Sequence, residues 1–230
     1  MSNLKPVLKT KHKNLTIASD RLPEYGDDVF AAVTFPSEYR NIQQAYPICF
    51  RKNEETGEFQ SVALFGFELG ENLFIKEKKW DASYIPLTIE IQPFVIGLDA
   101  NDKENGAIYI DMDSPKVNPK EGGTKIFNQD GSESEYLGNV RRRLEMLHQM
   151  NGEAKGFYDY LDKFDLIEPF AIEVGLADGS ERRLMGLYTL HEPRFHSLDT
   201  KVVEEMWVKG FMMPCFMMLA SLASISDLVA

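Results

Sequence analysis

This sequence is short of the features that usually announce a chemistry. Only two of its 230 residues are cysteines, too few for a disulfide framework. Cys49 and Cys215 lie in the apolar runs Ile48-Cys49-Phe50 and Pro214-Cys215-Phe216, which predicts reduced core thiols that behave as small hydrophobes. There is no surplus of positive charge either. Lys and Arg number 25 against 36 Asp and Glu, a formal net charge of −11. That balance excludes a general nucleic-acid binder, because phosphate recognition rests on clustered Lys and Arg. It also disfavours attraction to anionic membranes. The most apolar uncharged run, Gly210 to Ser226, is 17 residues long and falls short of the roughly 20 needed to span a bilayer. It reads as a buried helix. The opening stretch carries Lys5, Lys9, Lys11 and Lys13 with no apolar segment behind them, so no secretory leader is expected and a cytoplasmic address is.

Catalytic signatures are missing as well. There is no GxGxxG, no GxxxxGK[ST] and no GxSxG, so neither a phosphate-cradling loop nor a nucleophile elbow is expected. The four histidines are His12, His148, His191 and His196, and the last two straddle Pro193 five residues apart. That spacing does not place two ligands on one helix face. No cofactor is expected.

What is present is a succession of hairpins and helices. Tyr46 to Arg51 and Phe59 to Phe67 read as strands joined by Asn53-Glu54-Glu55-Thr56-Gly57. Val95 to Leu98 and Ala107 to Met112 form a second expected hairpin around Asp99 to Asp102. In a third, Phe170, Ile172, Val174 and Leu176 share a face, Asp178-Gly179 turns, and Leu184, Gly186, Tyr188 and Leu190 return. Ser132 with Glu135 reads as a capping box. Behind it, Leu137, Val140, Leu144, Leu147, Ala154, Phe157, Leu161 and Phe164 follow at helical steps, with Gly152 as the point where the helix would break if it does. Two further helices close the chain, near 200–209 and 211–223. Without a βαβ rhythm, this pattern predicts an α+β fold: a mostly antiparallel sheet built from hairpins, one long amphipathic helix and two C-terminal helices. Residues 1–30 are expected to be loosely ordered and 31–230 to form one domain.

Three groups of side chains stand out. Asp111-Met112-Asp113 would put two carboxylates on one strand face, where they could share a divalent cation, although Asp113-Ser114-Pro115 reads better as a turn. Arg141-Arg142-Arg143 fan around one helical turn, so at least one should face a partner or an internal acid, although a solvated face is preferred to an anion site. Met212, Met213, Met217 and Met218 suit either an adaptable surface or, preferably, a core helix.

The densest signal runs from Tyr46-Pro47-Ile48-Cys49-Phe50 through Val62-Ala63-Leu64-Phe65-Gly66 and Glu71-Asn72-Leu73-Phe74 to Trp80, Tyr84-Ile85-Pro86 and Pro93-Phe94. This order resembles the SapC family of bacteria, named for a surface-layer gene cluster. Ile110-Asp111, Phe127-Asn128-Gln129-Asp130-Gly131, Leu166-Ile167-Glu168-Pro169, Gly186-Leu187-Tyr188 and Met218-Leu219-Ala220-Ser221-Leu222 extend the similarity from about Glu38 to Leu228. Met218 stands where the family pattern has His, and Cys49 where an aliphatic residue is usual. The resemblance implies an association with surface-layer or envelope gene clusters and brings no catalytic residues with it. The leading expectation is a non-catalytic accessory protein that holds a peptide, glycan or partner protein on an aromatic-rich surface around Phe65, Phe74, Trp80 and Tyr84, with Arg142 as a further contact. The alternative is a metal-assisted enzyme using Asp111 and Asp113. A protein or peptide partner and a homo-oligomer are both compatible with this reading.

Overall fold

The computed structural model describes residues 3–97, 107–120, 122–175, 181–226 and 228. In chain order the strands are β1 (Leu4–Pro6), β2 (Thr16–Ile17), β3 (Ala31–Thr34), β4 (Ile48–Lys52), β5 (Phe59–Leu64), β6 (Ile75–Lys76), β7 (Lys79–Trp80), β8 (Phe94–Gly97), β9 (Ala107–Asp111), β10 (Thr124–Lys125), β11 (Ile167–Gly175) and β12 (Glu181–Leu190). The helices are α1 (Lys9–His12), α2 (Tyr39–Ile42), α3 (Leu87–Glu90), α4 (Glu135–Lys163), α5 (Glu192–His196), α6 (Thr200–Val208) and α7 (Met212–Ser221). Every strand pairing among the described residues is antiparallel, and the fold is α+β as the sequence predicts.

The chain divides into two compact units. The first comprises Met1–Asp28, Ile75–Asp81 and Leu87–Gln149, and the second Val29–Phe74, Ala82–Pro86 and Met150–Ala230. The expected domain over 31–230 is therefore spread over both. In the first unit, β1, β9 and β8 form one sheet in that order, and β10 pairs with β2. Residues 3–28 fall in the segment 1–30 that the sequence reads as loosely ordered. They supply β1 and β2 to these sheets and bury Leu15 and Ile17. Ile110, Ile126, Phe94 and the apolar stripe Leu137, Val140, Leu144 and Leu147 are also buried in this unit.

A buried carboxylate organises the same unit. Asp27, at 0% exposure, receives the Lys116 ammonium at 2.7 Å, the Arg21 guanidinium at 3.1 Å and the Leu22 backbone N–H at 3.1 Å. Burial lowers the Lys116 pKa and the bond to Asp27 opposes that shift, as expected of an ammonium removed from water but given a counter-ion.

The second unit is built on the sheet β11-β12-β4-β5-β3. Cys49, Val62, Leu64, Phe67, Ile172, Leu184 and Leu187 form one buried cluster on it. The hairpin β11–β12 departs from simple alternation. Phe170 pairs with Leu187 but Ile172 with Leu184, so Ala171 faces the two residues Met185 and Gly186. Gly186 adopts φ +77°, a left-handed conformation that costs glycine little. The bulge reverses the phase of β12. Leu187 is buried, and Gly186, expected on the inner face, is exposed. The expected turns at Asp178-Gly179 and Asp99 to Asp102, with the strand ends Leu98 and Leu176, lie outside the described residues.

The long helix α4 is unbroken over 29 residues, Gly152 included. Its cap is Ser134 rather than Ser132. The Ser134 hydroxyl accepts the Leu137 N–H at 3.2 Å, while the Ser132 hydroxyl is used by Asp130 at 2.7 Å. The C-terminal helices fall where expected, with α5 in addition. Gly210, at φ +74°, ends α6, and Phe211 N–H reaches back to the Met206 carbonyl at 2.8 Å, which is the backbone pattern of a glycine-stopped helix. Ser221 then ties α7 to the sheet: its hydroxyl accepts the Ile48 N–H at 2.9 Å and donates to the Met218 carbonyl at 2.6 Å.

Because Lys116 neutralises a fully buried charge, Lys116→Met should cost about 3–5 kcal/mol in urea unfolding. The double variant Asp27→Leu/Lys116→Leu, apolar on both sides, should recover most of that loss. A single variant as stable as the parent would contradict a structural role for the pair.

Candidate functional site

The sequence Lys52-Asn53-Glu54-Glu55-Thr56-Gly57-Glu58 makes the rim of a cleft before any long-range contact is considered. Asn53 Oδ1 accepts the Glu55 and Thr56 N–H groups at 2.9 and 3.1 Å, and Gly57 N–H bonds to the Asn53 carbonyl at 2.8 Å. An Asx turn of this kind holds a loop rigid through its own side chain. Opposite it lies the second half of α4, whose Asn151, Lys155, Tyr158 and Asp162 recur at steps of three and four and so share a face. Together they enclose about 570 Å³.

The lining mixes ring faces (Phe35, Phe59, Tyr158), amides (Asn53, Gln60, Asn151) and charges of both signs. Lys52 Nζ sits 5.1 Å from the Phe59 ring centroid and 5.6 Å from that of Tyr188, a cation–π arrangement over two rings that meet edge to face. Lys155 pairs with Glu58 across the cleft and, at 3.6 Å, with Asp159 on its own helix; the bond to Glu58 raises its pKa. Asp162 adds an exposed carboxylate.

Beneath the lining is a hydroxyl cluster. Tyr158 OH accepts from Ser61 Oγ at 2.9 Å and from Ser61 N–H at 3.3 Å, and Ser61 Oγ is also bonded to Tyr39 OH. Burial raises the pKa of both phenols, that of Tyr39 well above its ordinary value. They remain neutral donors at any physiological pH, and Tyr158 still has its own proton to give. Close by, Glu38, at 1% exposure, accepts the Thr34 hydroxyl at 3.0 Å and the Tyr84 hydroxyl at 2.8 Å. The Tyr84 carbonyl in turn accepts Tyr46 OH. Sequence reasoning did not single out Glu38, Ser61, Tyr39 or Tyr158. The available signal was Pro36-Ser37-Glu38-Tyr39, a helix start in which two polar residues point inward.

The expected recognition face is not one surface. Phe65 is fully buried, edge to face with Tyr46 and Phe74 at 5.2 and 6.3 Å. Phe74 is half-buried against Tyr46 at 4.6 Å. Tyr84 is half-buried, with its hydroxyl spent on Glu38. Trp80 is 8% exposed and belongs to the first unit, paired with Ile75. Phe65 and Trp80 are therefore core, and Phe74 and Tyr84 are partly exposed. Arg142 is exposed and bonded to Asn139, while Arg141 pairs with the exposed Glu133 and Arg143 with Glu90 at 2.8 Å.

Asp111 and Asp113 serve a turn. Asp111 Oδ1 accepts the Asn3 and Asp113 N–H groups at 3.0 and 3.1 Å, and Asp113 Oδ1 accepts Asn3 Nδ2 at 3.0 Å. Among the described residues no three His, Cys, Asp or Glu side chains form a group that could hold a metal ion. Cys49 and Cys215 are buried, free thiols, and burial pushes each up to about 12. Of the four methionines, Met217 and Met218 are buried and Met213 is 45% exposed, so α7 uses them on both faces.

An α+β protein with antiparallel sheets, one long helix and a polar cleft beside it is the class that these features define. The chain belongs to the SapC family, whose model matches residues 8–228. No curated protein and no solved structure matches it.

Tyr84→Phe removes a hydroxyl donor from a buried carboxylate and should cost about 1–3 kcal/mol by urea titration; an unchanged midpoint would mean that the Glu38 bond is energetically idle. A thiol of pKa about 12 is ionised to only about one part in ten thousand at pH 8. Neither cysteine should therefore react with a disulfide reagent in the native protein, and both should after unfolding in guanidinium.

Proposed function

We propose that this SapC-family protein is a non-catalytic accessory or binding protein, associated with surface-layer or envelope gene clusters, and that it holds a peptide segment of a partner protein in the cleft beside α4. One observation carries the reading. The cleft of about 570 Å³ offers amide, carboxylate and ammonium groups around ring faces, and its lining contains no Ser, Cys or His. Such a lining can hydrogen-bond a polar chain along its length and stack its flat groups. This reading prefers Phe59, Gln60, Tyr158 and Asp162 as the binding surface to the buried Phe65 and Trp80 and the half-buried Phe74 and Tyr84.

A random-peptide display library panned against the purified chain tests this directly. Enriched peptides should bind the parent, and Gln60→Ala or Asp162→Ala should weaken them about tenfold, a loss of about 1.4 kcal/mol. Competition with a panel of soluble oligosaccharides should leave them bound. No enrichment, or displacement by an oligosaccharide, would remove the peptide reading, the second outcome in favour of a glycan.

A further inference from the structure

The cleft beside α4 contains a piece of sheet edge as well as side chains. Three bonds fix which way the backbone of β5 points. Asn53 N–H donates to the Glu58 carbonyl at 2.8 Å and Leu64 N–H to the Pro47 carbonyl at 3.0 Å, both toward β4. Phe65 N–H donates to the Phe30 carbonyl at 2.6 Å, toward β3. In an antiparallel strand the N–H and C=O of one residue point to the same side, and the side alternates along the chain. The pairings of β5 with β4 and with β3 run without a shift in register. Gln60, Val62 and Leu64 therefore bond toward β4, whereas Phe59, Ser61 and Ala63 face the β3 side.

Strand β3 stops too soon to use the first of these. Its last pair is Thr34 with Ser61. Phe35 is still extended, at φ −131°, but Pro36 opens a helical turn over Pro36–Glu38 and takes the chain out of the sheet. Continued by two residues, the ladder would set Pro36 opposite Phe59, and proline has no N–H to give. Among the described residues nothing bonds to the Phe59 N–H or C=O.

This open edge faces the cleft. Phe59 and Gln60 are neighbours whose side chains point to opposite faces of the sheet. Both line the cavity of about 570 Å³, together with Val33 and Phe35 from the end of β3. A cavity that touches consecutive residues of a strand lies along its edge. Tyr158 OH, 3.3 Å from the Ser61 N–H, marks the same edge two residues on.

An unpaired donor and acceptor on one strand residue are a template for another extended chain. The 53–57 turn and α4 wall this edge and are joined by the Lys155–Glu58 pair, so a single segment reaches it and the rim of a second folded sheet does not. Given a peptide in this cleft, the reading proposed above, we infer that the bound segment is extended and that one of its residues pairs with the Phe59 backbone, taking the place in the sheet that β3 leaves at Pro36. Its N–H donates to the Phe59 carbonyl and its carbonyl accepts the Phe59 N–H. The segment runs antiparallel to β5, and the paired residue cannot be proline.

Amide-resolved hydrogen exchange on the full chain supplies a first test without a ligand. Phe59 N–H should exchange about tenfold or more faster than Gln60 N–H, which is held by β4. Equal protection of the two would overturn the inference, and Phe59 protection that grows with protein concentration would assign the edge to a second copy. The second probe is the tightest peptide recovered from the display library, made unmodified and as a set carrying one N-methylated amide each. At saturation the unmodified peptide should slow Phe59 exchange about tenfold or more. Methylation at one amide should raise Kd about tenfold, and at the two adjacent amides much less, because neighbouring N–H groups point to opposite sides. Phe59→Pro deletes the donor and Phe59→Leu keeps it without the ring, so the Pro variant should bind about tenfold more weakly than the Leu variant; if it does not fold, the methylated peptides carry the same test. Peptides that need Gln60 and Asp162 yet leave Phe59 exchange unchanged, or tolerate methylation at every amide, would overturn this inference and leave the peptide reading standing. Absence of any peptide binding would remove both.

Discussion

A polar group removed from water must find its partners inside the protein, and this structure is arranged around three that have been removed completely. Asp27, Glu38 and Ser61 are each within 1% of full burial. Left unpaired, each carboxylate would cost several kcal/mol and the hydroxyl somewhat less. Asp27 therefore gathers Lys116, Arg21 and the Leu22 N–H into the centre of the first unit. Glu38 and Ser61 gather Thr34, Tyr84, Tyr39 and Tyr158 in the second. These bonds join residues far apart in the chain: Asp27 to Lys116 spans 89 positions and Ser61 to Tyr158 spans 97. They select one register for elements that apolar packing alone would tolerate in several.

The same constraint gives α4 its character in the second unit. The helix is apolar where it covers the sheet, with Phe157 and Leu161 buried, and polar where it borders the cleft. Tyr158 belongs to both surfaces: its ring packs on Phe50, and its hydroxyl is anchored by Ser61. A residue held this firmly presents its remaining proton in one direction, which is the preorganisation a binding site gains from a rigid scaffold.

Much of the fold was legible because it is local. The three hairpins, the 29-residue helix and the C-terminal pair each announce themselves through periodicity, and the order of aromatics and prolines pointed to the SapC family. The errors have a common origin. Ser132 and Ser134 are equivalent as caps until Asp130 takes the Ser132 hydroxyl. Alternation along β12 holds until two residues oppose one at Gly186. The N-terminal segment lacks strong periodicity, yet β1 and β2 are short strands completed by partners more than a hundred residues away. Composition records that rings are dense, not how deeply each is buried, and so did not separate the buried Phe65 and Trp80 from the half-buried Phe74 and Tyr84.

The sequence by itself determined the class: an acidic α+β chain with only two cysteines and without a familiar catalytic motif, in the SapC family. Those properties depend on composition, on spacing within one element and on residue order, which folding does not alter. Tertiary structure alone decided the site. It sent Phe65 and Trp80 inward, used Asp111 for a turn, and brought Gln60 and Phe59 opposite Tyr158 and Asp162. A cleft is a relation between side chains that are distant in sequence, and which ones meet is set by the burial and pairing of all the others.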